Sequence, residues 1–401
     1  MMCRNFEKWG TIITGIVLIT ACNSQTVRTT QIDPIAPARV ALTEEQLLDV
    51  GINVFDPGID NIDEDKGLTT PAVREAESRY MAYTLSQTLQ QSGQWGAVRV
   101  IPDRQSETDV WVDGKILEST GERLKIQVTV QDASGRTWYT RTYEEEVSKY
   151  AYDRELRHRN DAFQGLYNRV ANDMQAYLRK LKPEELQAVR TISRLKFAGR
   201  FSPEAFGDHL EDDGRGNYQI KRLPAANDPI LERVERIRER DHMFVDTLQD
   251  HYGSFSLQMR DAYDQWRQET YFEAQALREL KQQQVARTLG GALAIVGGIL
   301  AAGSDSGVTR AAGAVGIGAG AYMIKSGIDK GAEAKIHAET LKELAASLDT
   351  QIEPHNIELE ERTVTLTGTV EQQYAQWRAI LLEIYQTETG QQPLPDPQNQ
   401  Q

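Results

Sequence analysis

The sequence predicts an α+β protein: a small sheet-plus-helix N-terminal domain, then a long helical region with a glycine-rich helical hairpin, then a short C-terminal ββα element. Three observations predict it. Residues 98–143 carry short strand-like stretches, the cleanest being Leu124-Lys125-Ile126-Gln127-Val128-Thr129-Val130, whose period of two buries one face and wets the other. From Asp153 onward apolar residues recur every three or four positions for most of the remaining chain. Between Thr288 and Ile324 lie two uncharged stretches with a small residue at every fourth position. At 401 residues the chain is long enough for two or three domains with real cores.

Residues 1–21 read as a lipoprotein signal peptide. Arg4 and Lys8 precede an apolar run from Thr11 to Ile19, too short to cross a hydrocarbon core of about 30 Å, and Ile19-Thr20-Ala21-Cys22 closes it with small residues and a thiol. This closing motif resembles the bacterial lipobox. The resemblance implies cleavage before Cys22 and a covalent N-acyl and S-diacylglycerol lipid (palmitate among the acyl chains) on that residue, with no other cofactor. Asn23 follows where enterobacterial sorting would place Asp for inner-membrane retention, which implies the outer membrane. The only other cysteine, Cys3, lies in the removed segment, so neither a disulfide framework nor a cysteine-based metal site is available. The formal charge is -14; without Arg4, Glu7 and Lys8 it becomes -15, which repels phosphate backbones and argues against nucleic acid as a partner.

Residues 22–48, polar and with Pro34 and Pro37, read as a flexible tether. The α+β domain is expected over 49–150. Ile52 to Phe55 makes a first strand, ending at the turn signal Asp56-Pro57-Gly58. Thr70-Pro71 caps a helix whose Val73, Ala76, Tyr80, Leu85 and Leu89 share a face until Ser92-Gly93. A meander of four strands follows: Val98–Ile101, Thr108–Leu117, Leu124–Val130 and Thr137–Tyr143. The leading VFDPG strand, the helix written Tyr80-x-x-x-x-Leu85-x-x-x-Leu89, and then TDVWVDGKILES and LKIQVTVQDASGRTW resemble a periplasmic domain of several envelope lipoproteins. These are the curli-export, penicillin-binding-protein-activator and lipid-transporting ABC auxiliary lipoproteins, whose domain is similar to the N-terminal domain of TolB. The resemblance implies a fold without a catalytic residue.

A helical region is expected over 151–287. Phe163, Leu166, Val170, Met174 and Leu178 mark one helix, and Pro183 opens a second. Prolines and glycines make 202–229 an irregular connection. Within it Glu211-Asp212-Asp213-Gly214 suggests a calcium loop, but His209 stands where an acidic or amide ligand belongs, so an exposed acidic turn is the plainer reading. Val234, Ile237, Asp241, Val245, Leu248, Tyr252, Phe255, Met259, Tyr263 and Trp266 then form a helix seam suited to a packed pair or coiled coil, with Asp241 and Gly253 predicting a kink or break.

The glycine-rich apolar hairpin is expected over 288–326. Gly290, Ala294, Gly298 and Ala302 line one arm and Ala312, Gly316 and Gly320 the other, a glycine-zipper spacing that lets two helix backbones approach closely. At 1.5 Å per residue the two arms span about 25 and 21 Å, short of a full crossing. Glycine costs about 1 kcal/mol per helical site in water, so the hairpin needs a buried setting: a bilayer, a protein interior or an oligomer interface. A return helix over 327–352 with Ile336, Leu341, Leu344 and Leu348, a ββα element over 353–388 and a disordered tail over 389–401 complete the chain. Within the ββα element, TVTLTGTVEQQ resembles half of a BON domain, which implies phospholipid surfaces.

No motif identifies a reaction. The six histidines are scattered, no phosphate loop follows the glycines, and no serine sits in a nucleophile elbow. The resulting expectation is a non-enzymatic, outer-membrane-anchored periplasmic lipoprotein acting as an accessory or scaffold in envelope assembly or export. Its expected partners are the membrane, an envelope protein and, through the hairpin, further copies of itself. The alternatives are a subunit of an oligomeric secretion pore resembling curli exporters, or an activator of a cell-wall synthase.

Overall fold

The computed structural model describes residues 32–37, 43–62, 69–102, 107–153, 160–301, 339–340, 342–343, 355–358 and 363–390, with side chains along the long helix described as far as Gln275. It is an α+β protein built on a five-stranded mixed sheet with a long helical region.

Strand β1 (Val50–Asn53) leads into helix α1 (Pro71–Gln91). Thr70 caps α1: its hydroxyl accepts the Val73 N–H at 3.3 Å, and Pro71 supplies a first-turn residue whose missing N–H loses nothing. The chain returns as β2 (Val98–Ile101), then β3 (Val110–Ser119), β4 (Arg123–Asp132) and β5 (Thr137–Glu146). Along β4 the burial alternates without exception, as the period of two requires. Its Leu124, Ile126, Val128 and Val130 are fully buried.

The order across the sheet is β2-β1-β3-β4-β5, so the expected meander is correct only for β3 to β5. Both β2 and β3 run parallel to β1, one on each side. The reason is the length of α1, which forms a crossover long enough to bring β2 back alongside β1 in the same direction. Short strands read alike whether parallel or antiparallel, so their patterning did not carry this.

Helix α1 packs against β1, β2 and β3, while α2 (Gln164–Leu178) covers β5. Helix α3 (Pro183–Phe201) and a single turn, α4 (Pro203–Phe206), lead to a small hairpin, β6 (Leu210–Asp212) with β7 (Tyr218–Ile220), inside the stretch expected to be irregular. Three residues per strand with a polar turn are too short to show a period.

Helix α5 then runs unbroken from Pro229 to Ala301, 73 residues or about 110 Å at 1.5 Å per residue. All ten residues of its predicted seam are buried. The expected break is absent, for two physical reasons. A Cβ on Gly253 would stand 2.9 Å from the Tyr83 hydroxyl, so this glycine serves a close approach of α5 to α1. Asp241 is 4 % exposed, and its Oδ2 accepts a 3.2 Å hydrogen bond from the Tyr374 hydroxyl, so it joins two elements rather than ending one.

At the C-terminus β8 (His355–Glu358) and β9 (Thr363–Leu366) form an antiparallel hairpin followed by α6 (Val370–Thr389). Thr369 and Gln372 close a capping box at the start of α6. The ββα unit docks on α5, where the Phe244 ring meets those of His355, Tyr374 and Trp377 at centroid distances of 5.7, 6.4 and 5.2 Å.

Candidate functional site

The chemistry expected from the sequence lies mostly outside the described residues. Cys22, Ala302, Ala312, Gly316 and Gly320 fall there, as do the signal peptide, the second hairpin arm, most of the return helix and the tail beyond Gly390. Gly290, Ala294 and Gly298 lie within α5, four residues apart and so on one face of a helix. Among the described residues no helix is long and apolar enough to cross a membrane. No group of three or more His, Cys, Asp or Glu there is arranged to hold a metal ion. In the acidic turn, Asp213 Oδ1 accepts the N–H groups of Arg215 (2.8 Å) and Asn217 (3.1 Å), and Asp212 Oδ1 accepts that of Gly214 (2.9 Å). These carboxylates hold their own turn.

What the structure assembles instead is a buried polar cluster where α5 meets the sheet domain. Arg267, on α5, is fully buried, and its Nη1 lies 2.9 Å from Asp161 Oδ2. Its Nη2 donates to the Tyr263 hydroxyl at 2.5 Å, and that hydroxyl donates to Glu77 Oε1 on α1 at 2.6 Å. Ser119, at the end of β3, donates to the same oxygen at 2.5 Å, and Tyr80 donates to Asp161 at 2.9 Å. The guanidinium also stacks over Tyr263, 3.7 Å from the ring centre, and over Phe163 at 4.9 Å. Burial lifts the Tyr80, Tyr167 and Tyr263 phenols well above the usual range, so they stay neutral throughout physiological pH. Burial works against the Arg267 charge, but Asp161 and the neighbouring tyrosines overcome it and hold its pKa well above the ordinary value.

Gly121 explains how backbone and helix come so close. A Cβ there would stand 1.7 Å from the Arg267 carbonyl oxygen, and the Gly121 N–H donates to Thr270 Oγ1 at 3.1 Å. The turn between β3 and β4 therefore seats directly on α5. Four segments distant in sequence, α1, β3, residue 161 and α5, converge on the Arg267–Asp161 ion pair and the hydroxyls of Tyr80, Ser119 and Tyr263.

A second polar group lies further up α5. Burial raises Asp241 to about 6 against the pull of Arg378, and burial with the charges of Arg238 and Arg99 lowers His242 to about 4. Glu107 pairs with Arg200, and burial still raises its pKa. Beside the first cluster a cleft of about 860 Å³ opens between α1, α2 and α5, with Tyr83, Gln87 and Ser256 in its walls. Ser256 is 4 % exposed and its hydroxyl has no hydrogen-bond partner. It therefore has no base positioned to activate it as a nucleophile.

These clusters were invisible to motif reading because their key partners come from distant segments, Arg267 and Asp161 being 106 residues apart and Tyr374 and Asp241 133. The one available signal is a charge on or beside an apolar helical stripe: Asp241 interrupts the seam, and Arg267 follows Trp266 immediately.

The expected tether also differs. Residues 32–37 lie along α2: Asn168 Nδ2 donates to the Asp33 carbonyl at 2.6 Å and Asn172 Nδ2 to the Pro34 carbonyl at 3.0 Å. The Ala36 N–H donates back to Asn172 Oδ1 at 2.7 Å, and Arg179 reaches the Pro37 carbonyl at 3.2 Å. Low hydrophobicity gave no core signal here, because the segment docks largely through its backbone groups.

No protein-family model, no curated protein and no solved structure matches the chain.

Proposed function

We propose that the chain is a lipoprotein anchored in the outer membrane through acylated Cys22, facing the periplasm, and acting as a non-enzymatic scaffold in envelope assembly or export. The observation that carries the reading is the continuity of α5. One helix is locked into the folded body by Arg267 and Gly121 and runs on into the uncharged stretch from Thr288 to Ala301, with Gly290, Ala294 and Gly298 on one face. A helix fixed at one end and carrying a small-residue face at the other suits a strut between the body and a bilayer or a further protein chain. The non-enzymatic reading is supported by the first polar cluster, whose Arg267 and Asp161 are spent on each other within the core. A pore of the curli-exporter kind requires β-hairpins across the membrane, whereas residues 288–301 are helical.

The test uses the Cys22→Ser protein, exported by an unacylated signal, with and without residues 288–326, in liposome flotation. Circular dichroism confirms that both forms are folded. We expect the complete form to float and the deleted form to stay at the bottom of the gradient; equal behaviour of the two overturns the strut as a membrane contact.

A further inference from the structure

The segment 32–37 joins the body to the stretch that carries Cys22, and its docking on α2 is specific. Asn172 both donates to the Pro34 carbonyl and accepts the Ala36 N–H, as the neighbouring strand of a ladder would. Asn168 lies one helical turn earlier on the same face of α2 and takes the Asp33 carbonyl. Arg169 adds a 3.2 Å contact to the Asp33 carboxylate. Pro34 and Pro37 have no N–H to leave unpaired, and they restrict the chain before docking, so less freedom is lost on binding. The bonds use the carbonyls of Asp33, Pro34 and Pro37 and the N–H of Ala36.

The docked segment also forms part of the cleft: Ile32 and Ile35 stand in its wall, with Leu257 of α5, 68 % exposed, at its edge. Ten residue steps separate Cys22 from Ile32, and at no more than about 3.5 Å each they reach roughly 35 Å. Without docking, the next fixed points are Thr43 and the residues after it: Arg190 holds the Glu44 carbonyl at 2.6 Å, and Leu48 is fully buried. The reach from Cys22 to Thr43 is then roughly 75 Å on the same count.

We infer that residues 32–37, clasped by Asn168 and Asn172, set the stand-off of the body from the phospholipid surface, holding the cleft between α1, α2 and α5 within roughly 35 Å of it. The inference rests on the lipoprotein reading, which supplies the anchored end. It adds that the body is held close, with the cleft wall formed by Ile32 and Ile35 at the point where the leash joins it, whereas a leash free as far as Thr43 would roughly double the reach.

The mature chain has no cysteine apart from Cys22, so Gln91→Cys, at the cleft, takes a single fluorescent donor. Acylated protein carrying it is bound to phosphatidylethanolamine–phosphatidylglycerol vesicles containing an acceptor lipid, with and without the pair Asn168→Ala and Asn172→Ala. The expected result is strong transfer in the clasped protein and a several-fold loss of transfer in the double variant at equal vesicle binding. Equal transfer in both overturns the inference. Hydrogen exchange on the unacylated Cys22→Ser protein gives an independent readout: the Ala36 amide exchanges slowly, and quickly in the double variant. Fast exchange in both also overturns the clasp. A chain recovered from the envelope without acyl chains on Cys22 would instead remove the lipoprotein reading, and this inference with it.

Discussion

Asp241 shows how a single side chain is read differently from its neighbours in sequence and from its neighbours in space. In sequence it is a carboxylate on an apolar seam; in the fold it is buried against Tyr374, with a pKa raised from 3.8 to about 6. A carboxyl group whose folded pKa is raised binds its proton more tightly in the folded state, so its charge destabilises the fold progressively as pH rises from about 4 to about 6. Asn keeps the shape and a hydrogen-bonding group but carries no charge. We therefore expect Asp241→Asn to raise the unfolding free energy at pH 8 by roughly 1–3 kcal/mol, with the gain fading below pH 4. Urea denaturation at the two pH values checks this, and an equal change at both contradicts it. His242, lowered to about 4, contributes with the opposite sign: its stabilisation grows between about pH 4 and 6.5. The substitution isolates one from the other.

The elements divide by how local their causes are. Helix α1 was legible to the residue at its start because Thr70, Pro71 and Val73 are adjacent, and β4 because alternation within ten residues decides its faces. The order of the sheet was not legible, because it depends on which edge of β1 receives β2, a choice made by packing across α1. The continuity of α5 was misjudged for a similar reason: Gly253 and Asp241 weaken a helix in isolation, but Tyr83 and Tyr374 give each a partner in the fold. The same principle makes Arg267 a test of how α5 is held. Removing one member of a buried ion pair strands the other and typically costs about 3–5 kcal/mol, whereas removing both costs less. Arg267→Met is expected to destabilise by that amount, and adding Asp161→Asn to recover a good part of it in a double-mutant cycle followed by chemical denaturation. Strict additivity of the two changes would mean that the pair does not act as a unit.

At the scale of the whole molecule, the described residues form a body in which the sheet domain, α3, α5 and the C-terminal ββα unit share one core. The candidate site was only partly legible. Gly290, Ala294 and Gly298 could be placed on a helix face from their spacing alone, whereas the clasp at Asn168 and Asn172 could not, since asparagines reading backbone carbonyls leave no period or motif. The central claim, an acylated anchor on a folded periplasmic scaffold, concerns Cys22 before any other residue. Its most direct test is metabolic labelling with radioactive palmitate in a Gram-negative host, comparing the unaltered chain with Cys22→Ser and following both through membrane fractionation. The account predicts label in the unaltered protein and its recovery with the outer membrane, and no label in Cys22→Ser; an unlabelled chain released as a soluble periplasmic protein would contradict it.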